Sequence, residues 1–283
     1  MECPYSESIE GGDCTLEKLV TNDSLLNESP FMRDEVPYNL LHFINGFESS
    51  IGYKASDGSM IFAKSQGHPA WLWISQTVTD DDRKSIVREL VHQLSGASLP
   101  GISAAPETAE MFAEVYSKSG GTAYHTSMMM ESYHCPKVIK PWNVTGEIRQ
   151  AGRQNVELIA EYMAGFSAEA FGVPVDPASQ IPAAERAVET GNFYLWIVEG
   201  KPVSMANIAH RSPRHARINA VYTPPALRKN GFASAIVSEL CSVLEGERLT
   251  PMLYADLKNP DSNKVYQNIG FVERGKIASI KFG

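Results

Sequence analysis

The chain has 283 residues, 43 % of them hydrophobic and 20 % charged, with 25 Lys and Arg against 33 Asp and Glu for a net charge of −8. This length predicts two domains or one large one, and the composition supplies ample apolar material for a core. The acidic balance excludes a general nucleic-acid binder, which must neutralise phosphates, while leaving room for a local basic loop around a small phosphorylated ligand.

No stretch approaches the ~20 consecutive apolar residues of a membrane span, so no membrane partner is expected. The start, MECPYS, has neither the basic end nor the apolar run of a leader. Cys3, Cys14, Cys135 and Cys241 are scattered, without zinc-type spacing or the density of a disulfide scaffold. A reduced, cytoplasmic protein is the expectation.

In chain order, Trp71–Gln76 (WLWISQ) reads as a strand, with one face of Trp71 and Trp73 in the core. Asp80–Leu94 follows as a helix carrying Ile86, Leu90, Val91 and Leu94, then Gly101–Ala104 as a strand, Glu107–Ser117 as a helix and Thr122–Met130 as a strand. His125, His134 and Cys135 read as that strand and its end, and no metal is expected. Pro136–Asn143, with two prolines, is a connection between halves. Beyond it come a strand over Val144–Gln150, a helix over Asn155–Phe171 and a second over Pro182–Thr190. Phe193–Glu199 and Pro202–His210 form a hairpin about Gly200–Lys201, and Arg217–Thr223 is a third strand. Phe232–Leu244 is an amphipathic helix, Met252–Leu257 a buried strand, Asp261–Asn268 a short helix and Phe271–Phe282 a closing strand. The order strand, helix, strand, helix, strand thus occurs twice, which suggests two copies of one α/β unit.

One loop carries the chemistry. Val221-Tyr222-Thr223-Pro224-Pro225-Ala226-Leu227-Arg228-Lys229-Asn230-Gly231-Phe232-Ala233-Ser234 leads from a strand through a basic turn straight into the long helix. A helix start leaves backbone N–H groups without partners and carries partial positive charge. With Gly231 and Ala233 small enough for close approach and Arg228 and Lys229 adding charge, such a loop can cradle a pyrophosphate. At the corresponding place the first half reads Thr77-Val78-Thr79-Asp80-Asp81-Asp82-Arg83-Lys84, whose three carboxylates would repel phosphate.

From Val144 to Gly283 the chain resembles the GCN5-related N-acetyltransferase (GNAT) family. Arg228-x-x-Gly231-x-Ala233 matches its Q/R-x-x-G-x-G/A pyrophosphate loop, and Asn259, Ser262, Tyr266 and Gly270-Phe271 match its N-x-x-A/S-x-x-x-Y-x-x-x-G-F stretch. The resemblance implies an α/β fold with a mixed α+β sheet, the acyl-CoA N-acyltransferase fold in two similar halves. Residues 1–140 would be a degenerate GNAT-like domain without the CoA loop, and residues 144–283 the catalytic domain.

It further implies an acetyl-CoA-dependent transferase that moves an acetyl group to a primary amine of a small molecule or peptide by direct attack on the thioester. Acetyl-CoA is then the co-substrate. Val221, Tyr222 and Thr223 would face its pantetheine arm, a backbone amide there polarising the thioester carbonyl. Arg228, Lys229, Asn230, Gly231, Phe232, Ala233 and Ser234 would hold its pyrophosphate, Asn259 and Asn263 would touch the pantetheine or cap the helix, and Tyr266 would protonate the leaving thiolate. The Ile218–Tyr222 strand lacks the glutamate base of many family members. Water, His210 or His215 remain as bases, the two histidines titrating in the useful range near neutrality but reading chiefly as a solvated hairpin end. A non-catalytic acyl-CoA sensor is the alternative. The acidic charge favours a cationic acceptor through steering, an acceptor site between the halves follows the usual preference of ligands for domain interfaces, and a homodimer stays open.

Overall fold

The computed structural model describes residues 15–283, so the readings on Cys3, Cys14 and the start of the chain lie outside the described residues. The chain divides into two compact units: one of residues up to Arg33, Ile44–Ser127 and Ser279–Gly283, the other of Asp34–Phe43 and Met128–Ala278.

In the first unit, β1 (Leu16–Lys18), β2 (Ile51–Ala55), β3 (Met60–Lys64) and β4 (Ala70–Ile74) pair antiparallel in sequence order, and β5 (Gly101–Ala104) joins β4 in parallel. The parallel step needs a crossover, which α2 (Asp80–Gln93) supplies. All five residues of β4 are buried, so Trp71, Leu72 and Trp73 sink both faces of the strand rather than one. Thr79 caps α2 by accepting from the Asp82 amide at 3.2 Å, and Asp80, Asp81 and Asp82 fill the first turn. Their carboxylates complement the positive helix end that a phosphate would otherwise occupy. Helix α3 (Pro106–Gly120) leads to β6 (Tyr124–His134). The terminal residues of the chain belong here: the Phe282 amide donates to Pro100 O at 3.2 Å, and Ser103 and Ser279 hydroxyls meet at 3.3 Å.

The second unit repeats that order. Strands β7 (Glu147–Gln150), β8 (Phe193–Val198), β9 (Lys201–Arg211) and β10 (His215–Tyr222) pair antiparallel, and β11 (Thr250–Asp256) joins β10 in parallel across the crossover helix α6 (Phe232–Gly246). β11 then pairs antiparallel with β6, from Met252↔His134 to Asp256↔Met130, so a strand encoded before the Pro136–Asn143 connection completes this sheet. Helix α7 (Pro260–Asn268) precedes β12 (Val272–Phe282), whose last residues belong to the first unit.

Two cores flank the sheet of the second unit. Ala235, Ile236, Leu240 and Leu244 on one side of α6 pack on Ile218, Leu253 and Tyr133. Helix α4 (Val156–Phe171) and helix α5 (Pro177–Glu189) pack Ile159, Tyr162, Ala184 and Val188 on Leu195 and Met205. α5 begins five residues before the expected Pro182, because the Asp176 side chain accepts from the Ala178 amide at 3.1 Å and Pro177 opens the first turn. β7 begins at Glu147 rather than Val144, after a turn with positive φ at Asn143 and Gly146.

Candidate active site

Parallel pairing between β10 and β11 covers only His215↔Thr250, Ala216↔Pro251 and Arg217↔Met252. From Ile218 onward the two strands run apart, β10 staying on β9 and β11 on β6. A register shift between Asn219 and Tyr222, with Ala220 at φ 50°, bends β10 at this point, as an extra residue in one strand does. The result is a wedge whose β10 edge, reaching Val221 and Thr223, has no paired strand on that side among the described residues.

The basic loop closes the wide end. Pro224 and Pro225 stop the ladder, and the loop turns through Lys229 at φ 64° and Gly231 at φ 79° into α6. A Cβ on Gly231 would lie 2.8 Å from Val144 Cγ2, so glycine is required both by the backbone and by its neighbour. The Ala235 amide makes the first α6 bond, to Gly231 O at 2.9 Å. The amides of Phe232, Ala233 and Ser234 therefore have no acceptor among the described residues. Asn230 turns its side chain back onto Leu227 O and Arg228 O at 3.0 and 3.1 Å, stiffening the turn.

Arg228 does not extend into the cradle. Its Nε donates to Thr223 O at 2.9 Å, Nη2 pairs with Glu169 of α4, and the guanidinium lies 6.0 Å from the Tyr222 ring. Lys229, next to it at the loop tip, is an exposed cation as well. Tyr222 packs edge-on against Tyr162 at 5.7 Å, and Thr223 shares a 2.9 Å hydroxyl contact with Ser204, which also donates to Tyr222 O.

On the opposite wall, Asn259 Oδ1 accepts from the Ser262 amide at 3.1 Å and caps α7. Asn263 is fully engaged: Nδ2 donates to Asp256 O and Asn259 O at 2.8 and 2.7 Å, and Oδ1 accepts from Tyr133 OH at 2.9 Å. It braces the end of β11 against α7. Tyr266 is buried between Tyr133 and Phe271, with centroids 6.5 and 5.9 Å away. Burial pushes its phenol up to about 12, and its hydroxyl has no hydrogen-bond partner among the described residues.

The histidines are not a solvated hairpin end. His210 is buried, with Nε2 2.9 Å from Asn39 Oδ1 and its ring stacked on Phe43 at 5.1 Å. Burial first, then the charges of Arg217 and His42, push it down to about 3. The expectation that it titrates near neutrality is thereby overturned. His215 Nδ1 lies 3.5 Å from Glu35 Oε2. Both histidines are covered by Asp34–Phe43, where buried Glu35 also meets Arg214 Nε at 2.6 Å and His42 Nε2 at 2.9 Å. Burial works to raise the Glu35 carboxyl, but the nearby His215, His42 and Arg214 side chains outweigh it and hold the group well below the carboxylate range.

Sequence reading missed Glu35, Asn39 and Glu131. Glu131, on β6, accepts from the Gly275 amide at 2.9 Å, and burial raises its carboxyl. Nothing local marks these residues, because each owes its burial to segments far away in the chain. On the Ile218–Tyr222 stretch, which lacks a carboxylate, Asn219 accepts from Asn207 Nδ2 at 2.9 Å.

Comparison with known proteins bears on this arrangement. The family described as FR47-like protein matches residues 194–278, from β8 into β12. No curated protein matches. A Drosophila protein of solved structure is similar with a TM-score of 0.64 at 13 % identity, covering 95 % of this chain and 99 % of that one. A GCN5-related N-acetyltransferase from Sphaerobacter thermophilus gives 0.57 at 12 % identity over 96 % of both chains. A GNAT-family acetyltransferase from Colwellia psychrerythraea gives 0.54 at 12 % identity over 95 % of this chain and 98 % of that one. The chain has the mixed α/β fold of the GCN5-related N-acetyltransferases, and its FR47-like segment contains the splayed strands, the loop and α7.

Proposed function

We propose that the protein is an acetyl-CoA-dependent N-acetyltransferase acting on a primary amine of a small molecule or peptide. The observation that carries this reading is the coincidence of two features. β10 and β11 part after Arg217↔Met252, and the helix that begins at the wide end of the gap presents amides without acceptors.

The residues present fit the co-substrate. The Gly231 turn that a Cβ would fill, the free amides of Phe232, Ala233 and Ser234, and Lys229 beside them form an anion cradle at a helix start. Acetyl-CoA supplies the thioester as substrate when bound. The open edge of β10 at Val221 and Thr223 offers backbone groups to an extended pantetheine, as a missing strand would take them. An amide of that edge polarises the carbonyl, a donor aimed at developing negative charge being worth ~3 kcal/mol. Tyr266, protonated throughout the physiological range, donates a hydrogen bond to sulfur as the carbon–sulfur bond breaks. His210 is neutral, with its Nε2 proton directed at Asn39, and His215 is engaged by Glu35. Water is therefore the base that fits best for the amine proton.

The test is release of free thiol from acetyl-CoA across a panel of small and peptide amines, cationic ones included. Amine-dependent release that Tyr266→Phe lowers by roughly 10²-fold or more supports the enzyme. The pairing of Asn219 with Asn207 where a base could sit favours the acyl-CoA sensor as second reading. Tight acetyl-CoA binding with no turnover on any amine would decide for it.

A further inference from the structure

Cys135 and Cys241, 106 residues apart and giving no pairing signal in the sequence, meet in the second unit. Cys135 follows β6, its amide bound to Pro251 O at 2.8 Å and its sulfur 3.7 Å from Ile269 O. Cys241 lies in the third turn of α6. Their side chains are 4 % and 2 % exposed, and both border one cavity of about 190 Å³. Its rim carries exposed Lys137, Arg248 and Glu245, two cations against one carboxylate.

We infer that Cys135 and Cys241 form a dithiol site, which an anionic low-molecular-weight disulfide entering this cavity converts to an intrachain disulfide. The assignment is independent of the acetyltransferase reading. Cys135 is the attacking thiol: the adjacent Cys241 thiol and the Lys137 amide lower it against the opposing effect of burial. The neighbouring Cys135 and burial push Cys241 up. A donor at sulfur stabilises the thiolate, which is the nucleophile.

The Cys135 thiolate attacks one sulfur of the reagent RSSR, forming Cys135–S–SR and releasing RS⁻, which takes up the proton Cys135 gave. Cys241 then loses its proton and attacks the Cys135 sulfur, expelling the second RS⁻, which that proton neutralises. Two protein thiols are oxidised by two electrons and RSSR is reduced to two RSH. The product ties the end of β6 to the helix that opens the cradle.

The experiment uses the full chain with Cys3→Ser and Cys14→Ser, incubated with oxidised glutathione, alkylated and mapped without reduction. The expected result is joint loss of both remaining thiols and a reductant-sensitive peptide linking Cys135 to Cys241. In Cys241→Ala the reaction should stop at a glutathione adduct on Cys135. The cationic reagent cystamine should react several-fold more slowly. Free thiols at both positions, or an adduct that never resolves in the chain holding both cysteines, would overturn the inference, and this readout needs no core variant to fold. Equal rates with the two reagents would overturn the anionic preference.

Discussion

The proposed site rests most on Gly231 and Tyr266, and each can be tested apart from the fold. Gly231→Ala places a Cβ 2.8 Å from Val144 Cγ2 on a backbone with φ 79°. Forcing an L-residue into that region costs roughly 1–2 kcal/mol. The melting temperature should fall by several degrees, and acetyl-CoA affinity by about tenfold or more, since a tilt of the loop amides needs to cost only ~1.4 kcal/mol to do so. Scanning calorimetry reads the first and titration calorimetry the second, and unchanged affinity would remove the glycine from the cradle. Tyr266→Phe behaves differently. The hydroxyl has no partner among the described residues, so its loss should leave stability unchanged or slightly higher, while turnover collapses. A large loss of stability with intact turnover would make Tyr266 a packing residue. Both positions were marked in the sequence by the resemblance of Arg228-x-x-Gly231-x-Ala233 and of Asn259 through Tyr266 to two family motifs. Arg228 shows the limit of such reading: its type fitted phosphate, yet Glu169 and Thr223 O claim its guanidinium.

At the scale of elements, the Asp34–Phe43 segment is the part that sequence patterning could not place. It carries no clear period, and its role follows from contacts some 170 residues away, Asn39 reaching His210 and Ser212, and Glu35 reaching Arg214 and His215. The Glu35 carboxyl is held below its ordinary 4.5 in the folded state. A group depressed by folding adds stability above its unfolded value, and that stability is lost as pH falls toward the folded one. Wild type should therefore lose stability as pH drops below about 4.5. Glu35→Gln removes the buried carboxylate that half-buried Arg214 meets and should cost about 1–3 kcal/mol at neutral pH, as loss of one partner of a charged hydrogen bond does. Its stability should also change less between pH 6 and 3. Denaturant melts across that range measure both, and parallel pH curves for the two proteins would remove Glu35 as an electrostatic anchor. The same burial explains why His210, chosen in the sequence for its ordinary pKa, does not titrate where expected. The hairpins and α6 were legible for the opposite reason, since their alternation and helical period are local.

For the whole molecule, the repeated order of strands and helices was visible in the sequence, but the exchange of strands was not. Each copy's pattern is local, whereas β6 pairs with β11 across more than 100 residues, and Phe282 bonds to Pro100. A cut after residue 140 removes β6 and Glu35 from the second unit and Ser279–Gly283 from the first. Residues 144–283 alone would present the unpaired edge of β11. We expect this fragment to aggregate or to lack a cooperative melt, which circular dichroism and sedimentation would reveal, whereas a monomeric, cooperatively folded fragment would show that the units are separable. The acidic first turn of α2 predicts in addition that the intact chain binds one acetyl-CoA, at the second unit, because Asp80, Asp81 and Asp82 occupy the equivalent helix end of the first.

The proposed function requires that the gap between β10 and β11, closed by the Gly231 loop, hold acetyl-CoA. The most direct measurement is thermal unfolding of the full chain with and without acetyl-CoA, beside Lys229→Glu, a change at an exposed side chain that leaves the core intact. Ligand at 100 times its dissociation constant adds ~2.7 kcal/mol to the stability of wild type. At roughly 2–4 °C per kcal/mol for a chain of comparable size, that is a rise of about 5–10 °C. The account predicts this rise in wild type and a clearly smaller one in Lys229→Glu at the same concentration. No rise in wild type at millimolar acetyl-CoA, or an equal rise in both proteins, would contradict it.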